Sequence, residues 1–358
     1  AGIARASGRR LMVRLVKGAY WDSEIKRAQV AGLEGYPVYT TKAATDVSYL
    51  VCARALLSAA PHLYGQFATH NAHSLAAIRL MASQMGLSPE FQRLHGMGEA
   101  LYAAAHERYG DFPLRVYAPV GSHEDLLPYL VRRLLENGAN TSFVHALLDE
   151  KTPVAKVVVH PTAAVEAAGA GPHPKIPLPR DLYGPSRKNS GGLDLSIADV
   201  RETLVQAVKR EAAQLHWAGP VGGGLSTAGL PTDAQVRNPA NGDPVGEVVF
   251  ATREHIDSAF ASARKAQPGW DRRGGEGRAK VLRAMGDTLE AHRERLIAIC
   301  VLEAGKTLAD AIAEVREAAD FCRYYAHLAE RQFAGPETLR GPVGEVNQLS
   351  LHGRGVFV

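Results

Sequence analysis

The run Arg14-Leu15-Val16-Lys17-Gly18-Ala19-Tyr20-Trp21-Asp22 sets two cations, two small residues and two aromatics in close succession. Gly18 and Ala19 leave room for a flat ring to approach the backbone, and Arg14 or Lys17 can stabilise negative charge developing on such a ring, as on a reduced flavin. A strand edge running into an ordinary loop, with its cations in water, accounts for the same letters. A second cluster, Thr69-His70-Asn71-Ala72-His73, offers hydroxyl, imidazole and amide groups suited to a phosphate or an adenine edge. His70 and His73 lack a neighbouring carboxylate or third imidazole to complete a metal site, so no metal is expected. Thr69 or Asn71 can instead cap the helix that follows. A third cluster is Arg132 beside Arg133. On a helix their side chains diverge by roughly 100°, and a guanidinium near a strand-end cleft is a natural clamp for a small carboxylate. A solvated face with an Arg132 and Glu136 pair is the alternative.

Two tempting patterns fail. Glu303-Ala304-Gly305-Lys306-Thr307 ends like a phosphate loop, but Cys300 stands where the first glycine is required and the preceding residues read as helix. The glycines at 222–224 have no strand before them and no helix after them, so they are not a dinucleotide fingerprint.

These clusters must be positioned by regular elements. Short apolar runs at 11–16, 64–69, 90–95 and 114–119 read as strands, and 46–58 and 74–85 carry apolar residues at helical spacing. That repeated β-α order predicts an α/β fold with a parallel sheet, and without a Rossmann glycine fingerprint a (β/α) barrel ranks above a doubly wound sheet. The first two clusters then fall at strand C-terminal ends, where barrel active sites lie. Only four strands are legible where a closed barrel needs eight, so half a barrel is expected. A strong helix follows at 124–137, with Gly138 placed to stop it. Residues 171–192 hold five prolines and little apolar content, as a linker does. The expected division is therefore 1–150, a linker over 151–195, and a second domain over 196–358. In the latter, 200–215, 255–266, 276–303 and 307–331 read as helices, with a Gly-rich stretch at 218–229 and a strand at 244–250.

Composition sets outer limits. With 358 residues, 46% hydrophobic and 22% charged, the chain is long enough for two domains and too apolar for disorder. The net charge of +4 is spread out, with no basic run to mark a nucleic-acid footprint. No apolar run reaches the roughly 20 residues of a membrane span and no signal peptide is legible, so the expected location is cytoplasmic. Cys52, Cys300 and Cys322 are far apart and are expected to be buried apolar residues. The opening on Ala1 in place of a methionine and the apolar ending Gly355-Val356-Phe357-Val358 lead us to expect both ends to be cut inside domains.

In one order along the chain, several long strings resemble proline utilization A, the bacterial flavoprotein family that joins proline dehydrogenase to the dehydrogenase for glutamate semialdehyde. They are residues 13–22, 40–50 (Thr-Thr-Lys-Ala-Ala-Thr-Asp-Val-Ser-Tyr-Leu), 67–73, 91–99 (Phe-Gln-Arg-Leu-His-Gly-Met-Gly-Glu), 115–121 and 129–143. Further on, Asn238-Pro239-Ala240, Gly246-Glu247-Val248, and residues 278–289, 303–307 and 313–325 are similar to the beginning of an aldehyde dehydrogenase domain. The resemblance implies the C-terminal half of a proline dehydrogenase barrel, with FAD oxidising L-proline to pyrroline-5-carboxylate, and a second, NAD-linked step from glutamate semialdehyde to glutamate. It places Arg14 at the reactive edge of the flavin, joined in flavin contact by Val16, Lys17, Gly18, Ala19, Thr40, Lys42, Thr45, Thr69, His70, Asn71, Gln92, Glu136, Ser142 and Phe143. Tyr20, Leu94 and Tyr117 would wall the proline pocket, and Arg132 with Arg133 would bind the substrate carboxylate. Thr41 departs from the pattern, where a second basic residue beside Lys42 is expected. The resemblance also implies a quinone electron acceptor at the membrane surface and admits a homo-oligomer. It puts most of the NAD site and the catalytic cysteine after Val358, so the isolated chain is expected to be inactive. Another flavin barrel, of the methylenetetrahydrofolate reductase kind, or a scaffold or DNA-binding regulator, are the competing readings, and no DNA-binding element is legible.

Overall fold

Four short strands lie parallel and in chain order: β1 Leu11–Val16, β2 Leu63–Ala68, β3 Glu90–Leu94 and β4 Leu114–Tyr117. The computed structural model describes residues 1–18, 20–138, 159–222, 227 and 230–357, with the backbone alone over 132–138. Parallel neighbours cannot be joined by a hairpin, so each crossover carries a helix. These are α3 Lys42–Ser58, α4 Ala72–Gln84 and α5 Glu99–Tyr109, preceded by α1 Gly2–Ala6 and α2 Trp21–Ala31 and followed by α6 His123–Gly138 and α7 Pro161–Ala167. Asn71 starts α4 by accepting the Ser74 amide at 2.9 Å.

The chain divides into two compact units, Ala1–Ile25 with Tyr36–Ile176, and Lys26–Gly35 with Pro177–Val358. In the first, α3, α4 and α5 cover one face of the sheet. Phe67 and Phe91, paired across β2 and β3, are fully buried there among Tyr49, Leu56, Leu57, Leu75, Ile78, Tyr102 and Phe112. Burying each such side chain contributes about 1.5–3 kcal/mol.

The second unit holds a three-stranded sheet of β5 His216–Ala218, β6 Ala234–Arg237 and β7 Pro244–Val248, in the order β5-β7-β6. Its helices are α8 Ala198–Ala212, α9 Arg253–Arg272, α10 Gly274–Ala291, α11 Arg293–Ala304 and α12 Leu308–Gln332, and a hairpin of β8 Glu337–Leu339 and β9 Asn347–Leu349 follows. The core is Leu204, Ile297, Ala311, Ile312 and Val315. The stretch 189–192 is threaded tightly here: the Gly192 amide donates to the Gly32 carbonyl at 2.7 Å, and a Cβ at Gly192 would lie 1.7 Å from the Ala31 oxygen. Only glycine fits that approach.

Several expectations need correction. The helix read over 276–303 is two helices that turn at His292, a break with no proline or glycine to announce it. A strand, β5, does precede the glycines at 222–224, although the next described element is strand β6 and not the helix a dinucleotide site requires. Cys52 is exposed, and Cys300 and Cys322 are half-buried, Cys300 packed against the core of the second unit. Among the described residues no helix is long and apolar enough to cross a membrane.

Candidate active site

Side chains alternate across a strand, so the register decides which residues share a face. Leu15, Phe67, Phe91 and Leu114 align across the four strands and face the helices. The opposite face therefore receives Arg14 from β1, Gln66 from β2, Glu90, Gln92 and Leu94 from β3, and Arg115 and Tyr117 from β4. A parallel sheet covered on both faces is ordinarily apolar throughout. Here one face carries a charged and amide-bearing row instead, with Glu90 and Gln92 both buried.

That row is hydrogen-bonded end to end. Arg14 Nε donates to Gln92 Oε1 at 2.8 Å and Arg14 Nη2 to the Tyr117 hydroxyl at 2.7 Å, with the guanidinium 5.1 Å from the Tyr117 ring centre. Gln92 Nε2 donates to Glu90 Oε1 at 2.7 Å, as does Gln66 Nε2 at 3.0 Å. Arg115 grips Glu90 with both arms, Nε to Oε1 at 2.8 Å and Nη2 to Oε2 at 2.9 Å. The Arg115 fork holds the Glu90 carboxyl down to about 2 against the opposing effect of burial, with Gln92 assisting. Glu90 is therefore ionised at neutral pH.

Lys17 lies just past β1 and turns to α3, where it pairs with Asp46 and stands 5.2 Å from the Tyr49 ring centre. Lys42 reaches the other Asp46 oxygen at 3.0 Å. Burial pushes the Lys17 ammonium below its ordinary range with Asp46 opposing. Burial alone would raise Asp46, but the two lysines hold it low. Two cations on one carboxylate leave a local excess of positive charge beside Gly18, where an added Cβ would meet no protein atom within 4 Å. The protein's own packing thus does not demand glycine at 18, which fits a ring approaching the backbone.

At the end of β2, the Thr69 carbonyl accepts the Tyr102 hydroxyl at 2.9 Å, and Thr69 Oγ1 accepts the Asn71 amide at 3.1 Å. His70 Nε2 accepts the Leu94 amide at 3.2 Å, which puts a neutral ring's proton on Nδ1. His73 packs edge-on against His160, ring centres 5.1 Å apart, and burial pushes its imidazole below the ordinary range. Thr40 Oγ1 accepts the His173 amide at 2.9 Å, and Thr45 bonds back to the Thr41 carbonyl.

The structure thus links Arg14, Gln92 and Tyr117 directly, His70 with Leu94, and Lys17 with Lys42 through Asp46. Val16 and Tyr20 are exposed beside them, and Leu94 is buried. Arg132, Arg133 and Glu136 lie on α6, but their side chains, like Ala19, Ser142 and Phe143, fall outside the described residues. Sequence reasoning missed Gln66, Glu90 and Arg115. Charged and amide residues at alternate positions inside apolar runs were the signal that could have found them.

Comparison with known proteins places both units. The family described as proline dehydrogenase matches residues 1–146, and the aldehyde dehydrogenase family matches residues 226–358. The bifunctional protein PutA of Escherichia coli is 51% identical over 361 residues, which cover 97% of this chain and 27% of that protein. A crystal structure of a Bradyrhizobium japonicum proline utilization A mutant is 45% identical with a TM-score of 0.82, covering 99% of this chain and 32% of the other. A Bdellovibrio bacteriovorus proline utilization A inactivated by N-propargylglycine is 33% identical with a TM-score of 0.82, over 97% of this chain and 35% of that one. The chain spans about a quarter of the length of the curated relatives it matches.

Proposed function

We propose, on the premise that this chain belongs to the proline utilization A family, that it carries flavin and proline contacts of a proline dehydrogenase site and the opening of an aldehyde dehydrogenase domain. The protein as a whole then oxidises L-proline to pyrroline-5-carboxylate with FAD, and glutamate semialdehyde to glutamate with NAD. The observation that carries this reading is the hydrogen-bonded row from Arg14 through the buried Gln92 and Glu90 to Arg115 on the face opposite the helices.

Bound FAD supplies the acceptor for the hydride that leaves the proline ring carbon next to nitrogen. The protein supplies placement and charge. Arg14 holds a fixed positive charge where negative charge develops, oriented by Gln92 and Tyr117. Val16, Gly18 and Ala19 line the approach, with Lys17, Thr40, Lys42, Thr45, Thr69, His70, Asn71, Glu136, Ser142 and Phe143 assigned to the rest of the cofactor by their match to the family's strings. Leu94, Tyr117 and Tyr20 wall the substrate and exclude water from it. Arg132 and Arg133 bind the carboxylate. Four parallel strands in chain order support a barrel that further strands complete. Cys300 is not assigned as the aldehyde dehydrogenase nucleophile, since burial pushes its thiol up and a nucleophile needs the reverse. Reoxidation by a quinone at the membrane surface and assembly as a homo-oligomer belong to the same family reading.

Adding proline without oxygen to the flavin-loaded protein should bleach the flavin absorbance, and methylenetetrahydrofolate should not. Bleaching by the folate and not by proline overturns the assignment. Within the same assay, Arg133→Met should weaken the apparent affinity for proline by about 1.5–3 kcal/mol, the worth of a charged hydrogen-bond pair. An unchanged affinity removes Arg133 from the carboxylate site.

A further inference from the structure

We infer that Glu90 and Arg115 are positioning residues for Arg14: they fix the amide orientation of Gln92, and through it the guanidinium that faces the reacting edge of the flavin. The inference rests on the proposed flavin site and goes beyond it, to residues with no contact to flavin or substrate assigned.

An amide side chain has two ends of opposite character, and its neighbours choose which end points where. Gln92 has Arg14, a pure donor, on one side and Glu90, a pure acceptor, on the other. Ionised Glu90 takes Nε2, so Oε1 is left to face Arg14. A neutral residue at 90 would itself offer both donor and acceptor and would no longer dictate the choice. A flipped Gln92 would present its NH2 to the Arg14 guanidinium, donor against donor, and the guanidinium would have to move away.

The carboxylate is in turn held still. Arg115 binds both its oxygens in a fork, which fixes the plane of the carboxylate as a single-point contact cannot. Gln66 fills the remaining direction at Oε1. Glu90 therefore sits in one orientation, with its charge secured, at the root of a chain that ends at Arg14. Tyr117 anchors the other arm of Arg14 from β4, the strand that also supplies Arg115. Two strands thus converge on one guanidinium, each through a direct bond, and the relay from Arg115 and Glu90 stands behind the bond from Gln92.

The test uses Glu90→Gln in the flavin-loaded protein, with three readouts: flavin content, the midpoint potential of the bound flavin, and the limiting rate of flavin reduction by proline. Expected are retained flavin, a potential shifted to more negative values, and a limiting rate lowered about tenfold, with half-saturation by proline changed less than about threefold. In an Arg14→Met background the same change should add almost nothing, because residues acting through one group are not additive. An unchanged potential and rate, or a full additional loss in the Arg14→Met background, overturns the inference. If Glu90→Gln does not fold, Arg115→Lys decides, since it keeps the charge but loses the fork: a negative shift in potential supports the relay and an unshifted one overturns it. Unaltered protein that proline cannot bleach would fail the proposed function itself, which the unaltered control distinguishes from a failure of the relay alone.

Discussion

Replacing Arg14 with Met is expected to slow the limiting rate of flavin reduction by proline by about two to three orders of magnitude, while flavin content stays near that of the unaltered protein. The size follows from the role proposed for Arg14. Removing one preorganised donor from the place where negative charge develops costs about 100- to 1000-fold in rate. Arg14 is preorganised in the strict sense, with Nε on Gln92 and Nη2 on Tyr117 before any substrate arrives. Flavin retention is expected because the proposed site assigns many other residues to the cofactor, among them Lys17 and Lys42, which pair on Asp46. Arg14→Lys should fall between, since an ammonium keeps the charge but cannot satisfy both partners from one rigid plane. Rapid-mixing absorbance at saturating proline measures the rate directly. A rate within about threefold of the unaltered protein would mean that Arg14 does not face the reacting edge.

What the sequence could disclose was set by how local each signal is. Strands β1 to β4 were legible because each is a short apolar run between turn residues, and their parallel order followed from the helices between them. Arg14, Gln92 and Tyr117 were picked out by motif, but their mutual bonds were not, because those depend on register between strands far apart in the chain. Glu90 was passed over as the polar first residue of a strand, and only the pairing of Gln92 with Arg115 brings the Arg115 fork onto it. Helix α5 was missed although Tyr102 and Ala105 are buried on it, because Glu99, His106, Glu107 and Arg108 crowd so short a helix with charge. Nor could the local pattern reveal that residues 26–35 group with the second unit. Their anchors, Arg316 on the Val30 carbonyl at 2.9 Å and Gly192 on Gly32, come from distant parts of the chain.

Those anchors lead to the second large effect, on stability. Arg323 is only 8% exposed and donates from one nitrogen to Asp287 at 2.8 Å and to Glu290 at 2.5 Å. Glu290 also accepts the Gly191 amide at 2.7 Å, and Ser190 next to it is tied to Asp320 through its amide and hydroxyl. Arg323→Leu should therefore destabilise the second unit by about 3 kcal/mol, the low end for stripping one partner from a buried ion pair. The low end applies because Asp287 is largely exposed and water can take over its charge. Glu290 cannot be relieved so easily. Burial alone would raise its carboxyl, and Arg323 with the Gly191 amide holds it below the ordinary range. A carboxyl depressed in the folded state stabilises fully above its unfolded value of about 4.3, and the stabilisation is lost as pH falls through the lower folded value. Without Arg323 the burial effect dominates, so the acid loss of stability should begin at higher pH. Denaturant titrations followed by the fluorescence of Trp217 and Trp270, with Trp21→Phe to silence the first unit, measure both effects. A variant that unfolds within about 0.5 kcal/mol of its parent, the range of an ordinary surface change, with the same acid midpoint, would show that the Arg323 cluster does not hold the 190–192 segment in place.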